Sequence, residues 1–235
     1  MGRVFEKRKH KMFARYDKMA KGFTRAGKEI AIAVKLGGAD PNGNSRLRVA
    51  IQNAKGINMP KDRIDAAVNR ASLKDEKGLE EVVYEGKGPF GIGILIETAT
   101  DNPTRTVANV RMNFNRYGGE LGKTGSLDYL FERKGVFRIK NEGLSMDELE
   151  LDLIDFGADE LESDEDEIVI YTAFTDFGKM QKALEEKKLN IISSELERIP
   201  TSTVELTDAQ IAEVMILVEK LEEDDDVQNV YTNMK

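Results

Sequence analysis

Three stretches of this 235-residue chain carry residue types that could do chemistry. Gly86-Lys87-Gly88-Pro89-Phe90-Gly91 spells GxGxxG, the spacing that lets a backbone approach a dinucleotide pyrophosphate. Gly118-Gly119-Glu120-Leu121-Gly122-Lys123-Thr124 comes close to a phosphate-binding loop, in which backbone N–H groups and a lysine cradle an anion. The acids Glu148, Glu150, Asp152 and Asp155, those of 164–167, and Asp224 to Asp226 are oxygen ligands for a hard cation. Context argues against each. A strand pattern follows Gly91 where a dinucleotide site needs a helix, so a hairpin turn is expected there. The phosphate-loop spacing is one residue short, since position 117 is Tyr117, and the loop follows a helical pattern instead of opening one. No acidic run has the calcium-loop spacing. His10 is the only histidine and lies in a basic segment, expected to be a mobile arm, so serine and threonine nucleophiles have no base. The expectation is a protein with no catalytic residue, no cofactor and no metal.

Contact with a polyanion fits the same residues better. Residues 1–74 hold eighteen Lys and Arg against six Asp and Glu, a charge of +12, while residues 75–141 balance at zero and residues 142–235 carry −20. The acidic pI of about 5.0 therefore hides a basic module. Its phosphate-binding candidates are Arg3, Lys7, Arg8, Lys9, Lys11, Arg15, Lys18, Lys21, Arg25, Lys28, Arg46, Arg48, Lys61 and Arg63. Affinity from such residues falls steeply with salt, because each neutralised phosphate releases counterions. The loop residues Gly118, Gly119, Lys123, Thr124, Gly125 and Ser126 combine bare backbone donors with an ammonium and hydroxyls, and are a second candidate for nucleic-acid backbone. A flexible connection is the plainer reading of that loop. The acidic half would repel polyanions and leave only the basic module to touch them.

The elements that must position these residues follow from periodicity. Met19, Phe23, Ala26, Ile30 and Ala33 share one face of a helix over 18–36, stopped by Gly37-Gly38. A second helix spans 45–55, and a third opens at Pro60, where a first helical turn tolerates proline. From Glu80 the period becomes 2: strands at 82–84 and 92–98, a helix from Asn102 to Tyr117, a strand at 127–131 and another starting at Gly135. Residues 136–200 read strand, helix, strand, strand, helix, strand, the order of a ferredoxin-like fold. A capped helix over 208–221 and a strand over 227–232 would complete the unfinished unit of 80–135. The expected fold is α+β: a basic helical bundle (1–74), a discontinuous α/β domain (80–135 plus 201–235), and a ferredoxin-like domain (136–200) inserted into it. There is no cysteine, no apolar run of membrane length and no apolar signal core, so a cytoplasmic location is expected.

Lys35-Leu-Gly-Gly-Ala-Asp-Pro41, Asn44-Ser-Arg-Leu-Arg48, Asn58-Met-Pro-Lys-Asp62, Tyr84-Glu-Gly86, Thr100-Asp-Asn102, Arg105-Thr106 and the run from Gly118 to Ser126 closely resemble the YebC family. Many members open with a Gly-His-Ser-Lys-Trp-like segment, from which Met1-Gly-Arg-Val-Phe-Glu-Lys departs. The resemblance implies three domains around a cleft, no established enzymatic activity, and one of two roles. Some members are DNA-binding transcriptional regulators; others bind the ribosome and help translation through stretches such as consecutive prolines. A third, separate reading is a protein-interaction or small-ligand module. The expected partner is DNA or rRNA, without a membrane; the oligomeric state is left open, a monomer being one possibility.

Overall fold

The computed structural model describes residues 3–73, 78–164 and 166–235, and for residues 3–18 the backbone alone. Its first helix, α1 (Arg3–Gly37), is longer than the periodicity suggests. The helix begins at Arg3 and runs through Gly22 and Gly27, so residues 3–16 are helical rather than an irregular arm. A glycine within a helix costs only about 1 kcal/mol, and the packed face from Phe23 to Val34 offsets it. α1 stops at Gly38, whose φ of +84° suits glycine. Asn44 then ties its end to α2 (Ser45–Gly56). The Asn44 amide donates to the carbonyls of Ala33 (2.7 Å) and Gly38 (2.8 Å), while its oxygen caps the Leu47 N–H. α3 (Lys61–Ala71) follows, with Pro60 as its N-cap, so the helix opens one residue later than expected. Ile30, Ala33, Leu47, Ala50, Ala54 and Ile64 form the bundle core.

Two four-stranded antiparallel sheets follow. The first contains β1 (Glu80–Lys87), β2 (Gly93–Thr100), β3 (Glu120–Leu121) and β8 (Val227–Thr232), in the order β3-β1-β2-β8. α4 (Pro103–Arg116) and α7 (Asp208–Glu222) cover one face, burying Ile92, Ile94, Ile96, Val110, Phe114, Leu217 and Leu221. Gly86 permits this packing: a methyl there would lie 2.6 Å from the Phe114 ring and 2.7 Å from the Glu120 carbonyl. The second sheet contains β4 (Phe131–Lys140), β5 (Ala158–Ser163), β6 (Glu167–Ala173) and β7 (Ile191–Pro200). Its order β5-β6-β4-β7, with α5 (Met146–Ile154) and α6 (Phe177–Glu186) on one face, is the ferredoxin-like arrangement.

Residues 127–131 are not the expected strand. Asp128–Leu130 form a 3₁₀ turn, and a single strand runs unbroken from Phe131 through Gly135. Gly135 is a point of close approach instead of a break, because a methyl there would lie 2.7 Å from Thr172 and 2.8 Å from Phe177. The bare backbone lets the Phe177 ring stack on Phe137 at 4.8 Å.

The bundle touches both sheets. β7 is an edge strand, a ready template for unwanted pairing. α2 covers it: the Asn53 amide donates to the Ser194 carbonyl (2.8 Å) and its oxygen accepts the Ser194 N–H (2.9 Å), as a neighbouring strand would. A methyl at Gly56 would overlap the Ile192 carbonyl oxygen. Gly56→Ala, which ordinarily favours a helix, is therefore expected to destabilise this protein by roughly 1–3 kcal/mol, measured by urea unfolding. A gain in stability would show that α2 does not sit on β7.

Candidate nucleic-acid interface

The basic residues of the first domain fall into two groups. Lys28, Arg25, Arg46 and Arg48 face inward. Lys28 Nζ donates to the Ala99 carbonyl and to Asp226 Oδ1, each at 2.8 Å. An Arg25 guanidinium N–H reaches the Glu222 carbonyl at the C-terminal end of α7 (3.2 Å), where a cation meets the negative end of the helix dipole. Arg46 bridges Glu29 (2.8 Å) and Glu81 (2.6 Å), and Arg48 approaches Glu185 at 3.6 Å. These cations join domains, so their charge is largely spent within the chain. Lys61 and Arg63 are exposed on α3, with Arg63 5.7 Å from the centre of the Phe23 ring. Lys55 in the last turn of α2 and Arg70 in the last turn of α3, absent from the sequence-derived set, are exposed as well. These four enter no ion pair among the described residues. Lys21 is half-buried beside Glu222, Asp224 and Asp225. Arg3, Lys7, Arg8, Lys9, Lys11, Arg15 and Lys18 lie on the helical backbone of α1, but their side chains fall outside the described residues.

The glycine-rich loop owes its shape to a residue that its motif does not contain. The Glu85 carboxylate, 2% exposed, accepts the Gly125 N–H at 2.7 Å and the Leu127 N–H at 2.6 Å, with the Ser126 hydroxyl at 3.4 Å. The Glu85 carbonyl accepts the Gly122 N–H (2.7 Å), and Gly118 and Gly125 take φ values of +77° and +82°. Glycine-rich backbone does form an anion cradle here, and the chain's own carboxylate occupies it. What the loop offers to solvent is Lys123 and Thr124, both exposed. Glu85 was legible in principle: the period-2 pattern puts a charged residue on the same sheet face as Val83, which signals a buried partner. The GxGxxG stretch lies where β1 turns into β2, in a hairpin.

Asp226 is the electrostatic centre of the domain junction. Its carboxylate, with side-chain exposure of 7%, receives Lys28 Nζ (2.8 Å), an Arg105 N–H (2.6 Å) and the hydroxyls of Thr100 (3.0 Å) and Thr106 (2.9 Å). Burial alone would disfavour its ionised form, but the hydrogen bonds from Arg105, Lys28 and Thr106 outweigh that and hold the carboxyl well below the usual range. A second junction, between the sheets, gathers Glu97, Glu195 and Glu197 around Arg138, Arg198 and Tyr231. Burial, then Glu197, raises the Glu195 carboxyl, and burial with Glu97 raises the Tyr231 phenol. Among the described residues, no group of three or more acids or histidines could hold a metal ion, and no helix is long and apolar enough to cross a membrane.

A helical bundle bearing exposed cations, latched onto two antiparallel α/β units, defines a multidomain α+β protein. The chain belongs to the TACO1/YebC family: the profile of its N-terminal domain matches residues 3–74, and that of its second and third domains matches residues 79–234. A "probable transcriptional regulatory protein" of Cytophaga hutchinsonii is 61% identical, covering 100% of this chain and 98% of its own. One of the same name from Anaeromyxobacter dehalogenans is 53% identical, with both chains covered completely. The crystal structure of a conserved hypothetical protein of Aquifex aeolicus superposes with a TM-score of 0.82 at 36% identity, covering 92% of this chain and 90% of that one.

Both buried carboxylates can be tested by amide substitution. Glu85→Gln weakens two charge-assisted hydrogen bonds; it is expected to cost roughly 1–3 kcal/mol and to speed amide exchange at Gly125 and Leu127. Unchanged exchange there would remove Glu85 from the control of the loop. Asp226→Asn is expected to cost roughly 2–3 kcal/mol at neutral pH, less than a fully buried pair because Arg105 and Lys28 can turn toward water. A carboxyl with a lowered folded pKa stabilises fully above its unfolded pKa of about 4 and loses that contribution as pH falls toward the folded value. The stability gap between wild type and Asp226→Asn in urea unfolding is therefore constant above about pH 5 and narrows on further acidification. A gap independent of pH would contradict this account.

Proposed function

We propose that this chain is a non-enzymatic regulator of gene expression that binds nucleic acid through its helical domain. The observation that carries the reading is charge segregation: +12 on residues 1–74 against −20 on residues 142–235. After the inward-facing cations are set aside, Lys55, Lys61, Arg63 and Arg70 still stand exposed. The helical backbone extends the surface: positions 3, 7, 11, 15 and 18 of α1, all Lys or Arg, recur every four or three residues and lie along one strip of a regular helix. Relatives named probable transcriptional regulatory proteins support the regulatory role, and DNA is the partner that name suggests.

Structured RNA on the ribosome is the second reading, and the loop favours it. Held by Glu85, the loop offers Lys123 and Thr124 as backbone-directed donors without any element shaped to read a duplex groove. RNA recognition rests on such shape and backbone contacts. The cytoplasm is the compartment consistent with either partner.

Two triple variants test the proposal: Lys61→Glu/Arg63→Glu/Arg70→Glu and Lys7→Glu/Lys11→Glu/Arg15→Glu. Each is expected to weaken binding to rRNA fragments or duplex DNA about ten-fold or more near 0.1 M salt. The slope of log K against log salt should become shallower by roughly 0.7–0.9 for each phosphate that is no longer neutralised. Anisotropy titrations measure both quantities, and wild-type affinity in both variants would refute the proposal. Crosslinking with sequencing of DNA and RNA then separates promoter fragments from discrete rRNA positions.

A further inference from the structure

The turn between β1 and β2 holds a bulky residue in a backbone conformation that suits glycine. Phe90, within the 3₁₀ turn Pro89–Gly91, has φ 59° and ψ 17°, the left-handed region. That conformation suits glycine or asparagine and is strained for a bulky side chain. Strain of this kind is commonly offset where a bulky side chain fills a core. Phe90 belongs to none of the apolar clusters among the described residues, and it is 46% exposed. The turn under it is firmly seated. Pro89 is buried, a methyl at Gly88 would lie 2.7 Å from Ile94 and 3.6 Å from Leu217, and the Gly88 N–H bonds to the Ile92 carbonyl at 2.8 Å. A rigid turn thus holds an aromatic ring out into solvent.

The turn packs on α7, which carries Glu213 and Glu219, and it also meets the ends of β1 and α4, which carry cations. Pro89 sits against Gly118, where a methyl would lie 3.7 Å away, and Arg116 precedes that glycine by two residues. Lys87 is exposed at the end of β1, and its carbonyl lies 2.6 Å from where a Gly119 methyl would be. Arg111 and Arg116 line a shallow open groove on α4 with Met112, and the Arg116 guanidinium lies 5.7 Å from the centre of the Tyr117 ring. Glu120, opposite Lys87 in the ladder, and Glu213 and Glu219 on α7 are exposed acids of the same elements. An exposed aromatic ring flanked by cations is the combination on which single-stranded nucleic acid stacks its bases, while the cations hold its phosphates. An acidic or apolar peptide would leave either the ring or the arginines unused.

We propose that Phe90 is a stacking platform for an unpaired base of RNA, with Lys87, Arg111 and Arg116 holding the adjoining phosphates. This inference rests on the nucleic-acid reading above and assigns it a second contact, on the first sheet. Phe90→Gly separates the ring from the fold, since glycine accepts the φ of Phe90 and the variant should melt no lower than wild type. Full-length wild type, Phe90→Gly and Phe90→Tyr are titrated with a single-stranded RNA carrying 2-aminopurine, and with a fully paired duplex of the same length. Expected are 2-aminopurine quenching by wild type and Phe90→Tyr, and roughly ten-fold weaker single-strand binding by Phe90→Gly, in line with the loss of one stacked base. Duplex binding should be unchanged in all three. Equal single-strand affinity and quenching in Phe90→Gly, with salt-dependent binding intact, overturns the platform and leaves the nucleic-acid reading standing. No binding of RNA or DNA by wild type overturns both. Unchanged RNA binding combined with loss of a crosslink from position 90 to a ribosomal protein also overturns it, and makes the turn a protein contact.

Discussion

The arrangement of this molecule depends on one buried carboxylate. Asp226 accepts a lysine from α1, an arginine from the start of α4 and two threonine hydroxyls from β2 and α4, while its backbone carbonyl accepts the Ala99 N–H. Without these donors a carboxylate so enclosed would be costly to ionise. With them, the helical bundle and the first sheet share one electrostatic centre. Arg105 compensates that charge from within the sheet unit, and Lys28 brings a second cation to it from the bundle. The orientation of the basic helix relative to the sheet carrying the glycine-rich loop is set there.

Two uses of positive charge are thereby separated. Cations that meet a carboxylate or a helix C-terminus within the chain, such as Lys28, Arg46 and Arg25, orient domains. Cations on α3 and at the end of α2 have no such partner among the described residues and remain available to an external anion. The glycine-rich loop makes the same distinction in its backbone. Its inward N–H groups satisfy Glu85, which rigidifies the loop, and its outward side chains remain free. A loop whose own anion fills the cradle is a positioned surface for Lys123 and Thr124.

Contact between α2 and β7 solves a different problem. An unprotected edge strand invites pairing with another chain, and Asn53 supplies β7 with two of the bonds a further strand would make. Gly56 removes the side chain that would keep the helix away. The bundle is thus fastened to one sheet by charge and to the other by backbone pairing and close approach.

The fold class is open to a reader of the sequence alone, because period-3.6 and period-2 patterns are local. The strand and helix order over 136–200 is enough to name the ferredoxin-like arrangement, and the segregation of charge is visible by counting. Sequence and structure part where a local signal has a non-local cause. Gly135 looks like a break and is a contact for Phe177; residues 127–131 look like a strand and form a turn over Leu95. The glycine-rich loop is legible as an anion cradle, but its occupant comes from 40 residues earlier. Asp226 cannot be told from Asp224 and Asp225 by neighbours, since its partners Lys28 and Arg105 lie 198 and 121 residues away. Phe90 is only a letter within GxGxxG until the turn is built, because its strain is a property of the turn. By itself the sequence determined most of the helices and strands, the apolar face of each and where the charge lies, all consequences of near neighbours. Only the tertiary structure decided which cations are spent within the chain and which remain for a partner, because the distance between two charges is set by how distant segments pack.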